Sequence, residues 1–150
     1  MGFPMAKNLL KSGFKIKVFN RSIEKAEPLK KFGAEISKSI KEVVSDCDVI
    51  ITMLTDDIAV DEVMKSRDFT ENIKSGATVI DMSSVKPMTA LAHSKNLKSK
   101  NINYLDAPVS GGTIGAEEAS LAIMVGGEQS VFDNSFNLSL IHISEPTRPY

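Results

Sequence analysis

The sequence predicts an α/β protein built on a doubly wound, mainly parallel sheet. Residues 48–54 (DVIITML) form a nearly continuous apolar run, the pattern of a strand buried on both faces. Residues 78–82 (TVIDM) make a second such strand after the Ser75-Gly76 turn. Between these runs lie stretches with helical spacing and capping residues, so strands alternate with helices at the interval of strand–helix–strand units.

Each element has its own signal. The chain opens on a helix: Pro4 suits a first turn, Met5, Ala6, Leu9 and Leu10 share one face, and Ser12-Gly13 is a stop. Residues 15–19 (KIKVF) alternate polar and apolar and read as a short strand. Ser22 is placed to cap a helix running to Lys31 and closed by Gly33, and a shorter helix covers residues 40–45. Asp56 or Asp57 caps the next helix, through Met64. Residues 87–98 fit a helix and 103–105 a strand. Residues 121–125 (LAIMV) read as a final strand ended by Gly126-Gly127, and a last helix starts near Glu128.

Composition narrows the class. The 150 residues are 42% hydrophobic and 25% charged, which fits one domain of common size or part of a larger one. Eighteen basic residues against nineteen acidic ones leave a net charge of −1, with no electrostatic footprint for a phosphate backbone, so no nucleic-acid partner is expected. The single cysteine, Cys47, excludes an internal disulfide or a zinc cluster and fits a reducing, cytoplasmic setting. It reads as a small packed hydrophobe. No apolar run approaches the roughly 18 residues of a membrane helix. Met1-Gly2 fails the myristoylation pattern because position 6 is Ala6, and there is no signal-peptide core.

In sheets of this class ligands sit at the carboxyl ends of the strands, so the residues just after each apolar run are the ones to inspect. Met1-Gly2 opening a helix resembles the end of a G-x-G-x-x-G loop, where helix N–H groups hold a pyrophosphate. Asn20 falls about where the ribose-reading acidic residue stands in such proteins. It has no charge with which to repel a 2′-phosphate, and Arg21 beside it offers a planar fork suited to one. The pattern leans toward NADP(H), with NAD as the other possibility; the plain alternative makes Arg21 a solvated surface charge. Ser110-Gly111-Gly112 supplies a hydroxyl and a backbone able to approach a small anion closely. His93 reads as a surface or satisfied side chain with no catalytic part.

MGFPMAKNLLKSG, VFNRS, CDVIITML, VIDMSS, LDAPVSGG and MVGG occur in order over residues 1–136. Together they resemble the β-hydroxyacid dehydrogenase family, which includes 3-hydroxyisobutyrate dehydrogenase, tartronate semialdehyde reductase and glyoxylate/succinic semialdehyde reductase. The resemblance implies a Rossmann-type domain over residues 1–137 and an NADP(H)-dependent oxidoreductase. Such an enzyme interconverts a small β-hydroxyacid and its semialdehyde or keto acid by hydride transfer. It further implies that Met1 and Gly2 meet the cofactor pyrophosphate, and that Asn20, Arg21 and Ser22 read the adenosine ribose and its phosphate. Met53, Leu54 and Thr55 line the cofactor, Ser84 sits near the nicotinamide side, and Ser110, Gly111 and Gly112 bind the substrate carboxylate. Two other readings remain: a non-catalytic NADP-binding module, and a nucleotide domain of the 6-phosphogluconate dehydrogenase type.

Members of that family begin with a strand and the first glycines of the phosphate loop, which this sequence lacks. The expected sheet is therefore without its first, central strand, and the strands at residues 15 and 48 are expected to face a gap. The family's catalytic lysine lies on a helix after the nucleotide domain, in a helical domain that completes the site and the homo-oligomer. That domain is not in these 150 residues, so the chain alone is expected to have no useful activity. Residues 138–148 (LSLIHISEPTR) resemble the conceptual translation of a sequencing adapter, and residues 138–150 are expected not to be native. Without them His93 is the sole histidine, which leaves no histidine-based metal site or triad.

Overall fold

The apolar runs pair as a buried parallel sheet requires. The computed structural model describes residues 1–139. Strands β1 (Lys17–Val18) and β2 (Glu35–Ile36) follow helix α1 (Gly2–Lys11), and α2 (Ile40–Val44) leads into β3 (Val49–Thr52). Helices α3 (Asp57–Met64) and α4 (Arg67–Thr70) then precede β4 (Thr78–Asp81), and α5 (Pro87–Lys98) precedes β5 (Asn103–Asp106). The hairpin strands β6 (Val109–Ser110) and β7 (Ala122–Ile123) enclose α6 (Gly112–Glu118), and β8 (Gly126–Gly127) and α7 (Gln129–Ser139) close the described chain.

Strands β3, β4 and β5 are parallel, and β8 adds antiparallel beside β5. Register explains why the runs are apolar throughout. Ile50, Val79 and Tyr104 lie in one cross-strand row and pack with Val60, Met64, Phe69 and Leu97 of the helices on one face. The next row, Ile51, Ile80 and Leu105, joins Met5, Val131 and Phe132 on the other. Helices on two faces account for the apolar runs, while Val49 and Ile51 of β3 keep part of their surface.

Strands β1 and β2 pair with each other in a separate parallel ladder, and no hydrogen-bonded ladder joins them to β3 among the described residues. Helix α1 spans the two parts. Its Asn8 amide donates to the Ala116 carbonyl of α6 at 2.7 Å, and Lys7 stands 4.8 Å over the Phe32 ring. Lys17 of β1 also donates to the Ser45 carbonyl after α2 at 3.1 Å.

Several boundaries differ from the sequence reading. The helix expected from Ser22 to Lys31 is two 3-10 turns, Ile23–Lys25 and Glu27–Phe32. Pro28 has no N–H to continue a helix and its ring clashes with the preceding turn, so the chain restarts there. Gly33 closes the segment at φ +96°, a left-handed conformation that a side chain disfavours. The expected final strand at 121–125 is reduced to β7, which pairs with Val109–Ser110 rather than with the main sheet, and Gly126-Gly127, expected to end that strand, instead form β8 beside β5. The strand at 15–19 is reduced to β1. The segment expected to be foreign lies outside the described residues from 140 onward. No described helix is long and apolar enough to cross a membrane.

Candidate nucleotide crevice

One buried carboxylate ties the carboxyl ends of β3 and β4 to each other and to Tyr104 of β5. Asp81, the last residue of β4, has no exposed surface. Its Oδ1 accepts from the Thr52 hydroxyl at 2.8 Å and the Ser83 N–H at 3.1 Å, and its Oδ2 accepts from the Tyr104 hydroxyl at 3.3 Å. Ser83, thus fixed, accepts the Leu54 N–H on its Oγ at 2.9 Å. The network couples the loop after β3, which holds Met53, Leu54 and Thr55, to the loop after β4, which holds Ser84. Buried polar groups need such partners, because an unpaired one costs about 1–3 kcal/mol.

Gly2, at the start of α1, is set against the first of these loops: a Cβ on it would stand 3.8 Å from the Met53 Cβ. No side chain caps α1, so its first N–H groups face outward beside Met53. Thr55 is exposed and its hydroxyl donates to Asp56, whose other oxygen caps α3 by accepting the Ala59 N–H at 2.9 Å. Ser84 is exposed next to buried Ser83.

Asn20, Arg21 and Ser22 form a turn after β1, on the other ladder. The Asn20 carbonyl oxygen accepts the Ser22 N–H at 2.9 Å, which commits its acceptor to the chain and leaves its amide N–H groups as the outward-facing polar group. Ser22 stands at the start of a 3-10 turn but its hydroxyl makes no capping bond. Arg21 is exposed and makes no ion pair among the described residues.

Ser110, Gly111 and Gly112 follow β5 by a short connection whose Ala107 N–H donates to the Asp81 carbonyl at 2.7 Å. Both glycines have positive φ, +131° and +63°. A Cβ on Gly111 would also meet Leu121 Cδ2 at 3.2 Å, so this loop needs glycine for its shape as well as its openness.

The structure thus brings Gly2, Met53, Leu54, Thr55 and Ser84 into one neighbourhood and places Ser110 to Gly112 beyond the adjoining strand end. Asn20 to Ser22 stand apart, at the end of β1. Ser83, with Ser84, is selected by its place just after the apolar run 78–82, whereas Asp81, Thr52 and Tyr104 carry no such signal because they lie within the strands themselves. His93 is buried, not at the surface: its Nε2 lies 2.8 Å from Asp61 Oδ1, with the ring N–H poorly aimed along that contact. Cys47 packs as expected, half-buried beside the α2–α5 core, and burial raises its thiol above the ordinary range. Among the described residues no cluster of three or more His, Cys, Asp or Glu could hold a metal ion.

Asp106 has a different environment from Asp81's neighbours. Burial, and then the charge of Asp81, raise its carboxyl above the usual range. A group raised on folding contributes stability that is full at low pH and lost as pH rises through its folded value. Asp106→Asn is therefore expected to raise the denaturation midpoint at pH 7, and the gain should shrink toward zero as pH falls below the carboxylate range. Urea melts of both proteins at pH 7 and pH 4 check this; a lower midpoint at pH 7 contradicts it.

A family model described as the NAD binding domain of 6-phosphogluconate dehydrogenase matches residues 1–138. An uncharacterized oxidoreductase of Bacillus subtilis is 43% identical over 134 residues, covering 89% of this chain and 46% of its own length. The 2-hydroxy-3-oxopropionate reductase of Escherichia coli is 37% identical over 134 residues, with the same shares of 89% and 46%. Among solved structures, Mycobacterium tuberculosis 3-hydroxyisobutyrate dehydrogenase with L-serine matches at a TM-score of 0.93 and 30% identity, over 98% of this chain and 50% of that one. The chain spans about half the length of these relatives. With its mainly parallel sheet and this match over residues 1–138, the chain belongs to the family of the NAD binding domain of 6-phosphogluconate dehydrogenase.

Proposed function

We propose that this chain is the nucleotide-binding part of an NADP(H)-dependent oxidoreductase that interconverts a small β-hydroxyacid and its semialdehyde or keto acid. The observation that carries the cofactor choice is the turn after β1. Asn20 turns its oxygen toward the Ser22 N–H, beside the exposed guanidinium of Arg21, which makes no ion pair among the described residues. Donors and positive charge without a carboxylate suit a 2′-phosphate.

The remaining residues fit the rest of the cofactor. The uncapped start of α1 at Met1 and Gly2 faces a pyrophosphate, as helix N-termini do. Met53, Leu54 and Thr55 line one wall and Ser84 the side nearest the nicotinamide, both held by Ser83 and Asp81. Bound there, the nicotinamide supplies or takes up the hydride. Ser110, Gly111 and Gly112 offer a hydroxyl and a close backbone to the substrate carboxylate. The similarity to a 2-hydroxy-3-oxopropionate reductase and to a 3-hydroxyisobutyrate dehydrogenase with L-serine supports a small hydroxy- or oxo-carboxylate. The lysine that moves the proton is assigned to the helical part of the whole protein, outside this nucleotide domain. General acid–base transfer of that kind is worth about 10²–10⁴-fold, so hydride transfer at a useful rate is a property of the whole protein.

Titration of the chain with NADPH and NADH by nucleotide fluorescence tests the reading. NADPH is expected to bind about tenfold tighter or more, the scale of a hydrogen bond between charged groups. Arg21→Ala should bring the two affinities together by weakening NADPH alone. Equal affinities in the unmodified chain, or an unchanged ratio in Arg21→Ala, would overturn the choice of NADP(H).

A further inference from the structure

The seam between α3 and α5 is fastened at two levels one helical turn apart. At the upper level Asp57 Oδ1 accepts both the Lys86 N–H at 3.0 Å and the Thr89 hydroxyl at 2.6 Å. At the lower level, four residues along each helix, Asp61 meets His93, and Lys65 holds the second Asp61 oxygen at 2.6 Å. The spacing of four on both helices puts these contacts on one line, since residues four apart share a helix face.

The upper level has a position that the lower one lacks. Asp57 is the first residue of α3, directly after the loop holding Met53 to Thr55. Lys86 precedes α5 and ends the loop holding Ser84. The Leu54 N–H to Ser83 Oγ bond joins the same two loops from inside. Their separation and tilt are therefore set by Ser83 on the buried side and by Asp57 on the solvent side. With Asp57 removed, the Leu54–Ser83 bond is the remaining hydrogen bond between the two loops among the described residues, beside the packing of Val85 and Leu54 on the core. Neither Asp57 nor Thr89 is needed to cap α3, because Asp56 does that.

We infer that Asp57 is a positioning residue for the nicotinamide half of the cofactor, because it bolts the loop carrying Ser84 to the loop carrying Met53 to Thr55. This rests on the NADP(H) reading above and adds a division of labour to it. The turn at Asn20 and Arg21 holds the adenosine phosphate, and the Asp57 fastening shapes the wall that the nicotinamide meets. Loss of the fastening is thus felt by the whole dinucleotide and not by its adenosine end.

Calorimetric titration of the chain with NADPH and, separately, with adenosine 2′,5′-bisphosphate separates these effects. Asp57→Ala is expected to weaken NADPH by about tenfold or more, since misplacing a contact surface by about 1 Å has effects of this size or larger. Binding of the bisphosphate should stay within about twofold of the unmodified chain. Asp57→Asn keeps an oxygen acceptor for Lys86 and Thr89 and should restore NADPH binding. Thr89→Val, a milder change that deletes one of the two donors, should show the same selectivity at smaller size. NADPH binding unchanged in Asp57→Ala and Thr89→Val overturns the inference while leaving the cofactor reading intact. Equal loss of both ligands also overturns it, because the carboxylate would then support the fold as a whole. An unmodified chain that binds neither ligand overturns the cofactor reading and the inference with it.

Discussion

Asp81→Ala is expected to destabilise the protein by about 3 kcal/mol or more, through donors left buried without an acceptor. Three donors converge on this side chain: the Thr52 hydroxyl, the Ser83 N–H and the Tyr104 hydroxyl. Truncation leaves all three without their partner in a region closed to water, since Thr52, Ser83 and Tyr104 are themselves buried. Burial, followed by the charge of Asp81, raises the Tyr104 hydroxyl far above its ordinary range, so it stays a proton donor at any working pH. Asp81→Asn should cost much less, about 1 kcal/mol, because it keeps one oxygen for Thr52 and Ser83 while its amide faces a Tyr104 oxygen able to accept. Urea denaturation of the two variants checks the ordering. An Asp81→Ala protein as stable as Asp81→Asn would mean that the network is not what holds the strand ends together.

The second large effect falls on Gly127→Ala, with an expected loss of about 2–4 kcal/mol from backbone strain and overpacking together. Gly127 has φ +150°, outside the ordinary range for a side chain, and pairs with Leu105 in the antiparallel β8–β5 contact. A Cβ there would stand 2.6 Å from Leu105 Cδ2 and 3.1 Å from the Tyr104 carbonyl oxygen. Leu105 is buried but lines an apolar cavity with Ile80 and Phe132, so its side chain can give somewhat, whereas the Tyr104 carbonyl belongs to the backbone and cannot. Its neighbour provides the control. A Cβ on Gly126 would meet only the Asp106 carbonyl, at 3.9 Å, so Gly126→Ala should cost less than about 1 kcal/mol. Thermal melts of the pair decide it: similar losses for both glycines would contradict the steric explanation.

The main sheet is legible in the sequence because a strand covered by helices on both faces has to be largely apolar, as Val49–Ile51 and Val79–Ile80 are. The helix over Pro87–Lys98 is legible to the residue because proline marks its start. The hairpin of β6 and β7 is not, since two-residue strands reading Val-Ser and Ala-Ile have no periodicity to detect. Helix α6, rich in glycine at its start, offers little local propensity either, and its place is set by the Asn8 contact from α1.

The site divides in the same way. Residues at strand ends can be selected from the topology alone, which picks out Thr55, Ser83 and Ser84, whereas Met53 and Leu54 rest on the family resemblance. Asp81 cannot be, because its meaning lies in partners 23 and 29 residues away, Tyr104 and Thr52. An acidic residue inside an otherwise apolar strand is the one local signal that something must satisfy it. His93 is left open for a related reason: near lysines on a helix it reads as either surface or satisfied, and only the packing of α3 against α5 shows it buried against Asp61.

Amide chemical-shift mapping of the chain with NADP⁺ tests the central claim, that the nucleotide lies across the carboxyl ends of the parallel strands. Shifts are expected at Gly2, Arg21, Leu54, Thr55 and Ser84. Shifts confined to the opposite ends, in the loops at residues 45–48, 74–77 and 99–102, would contradict it.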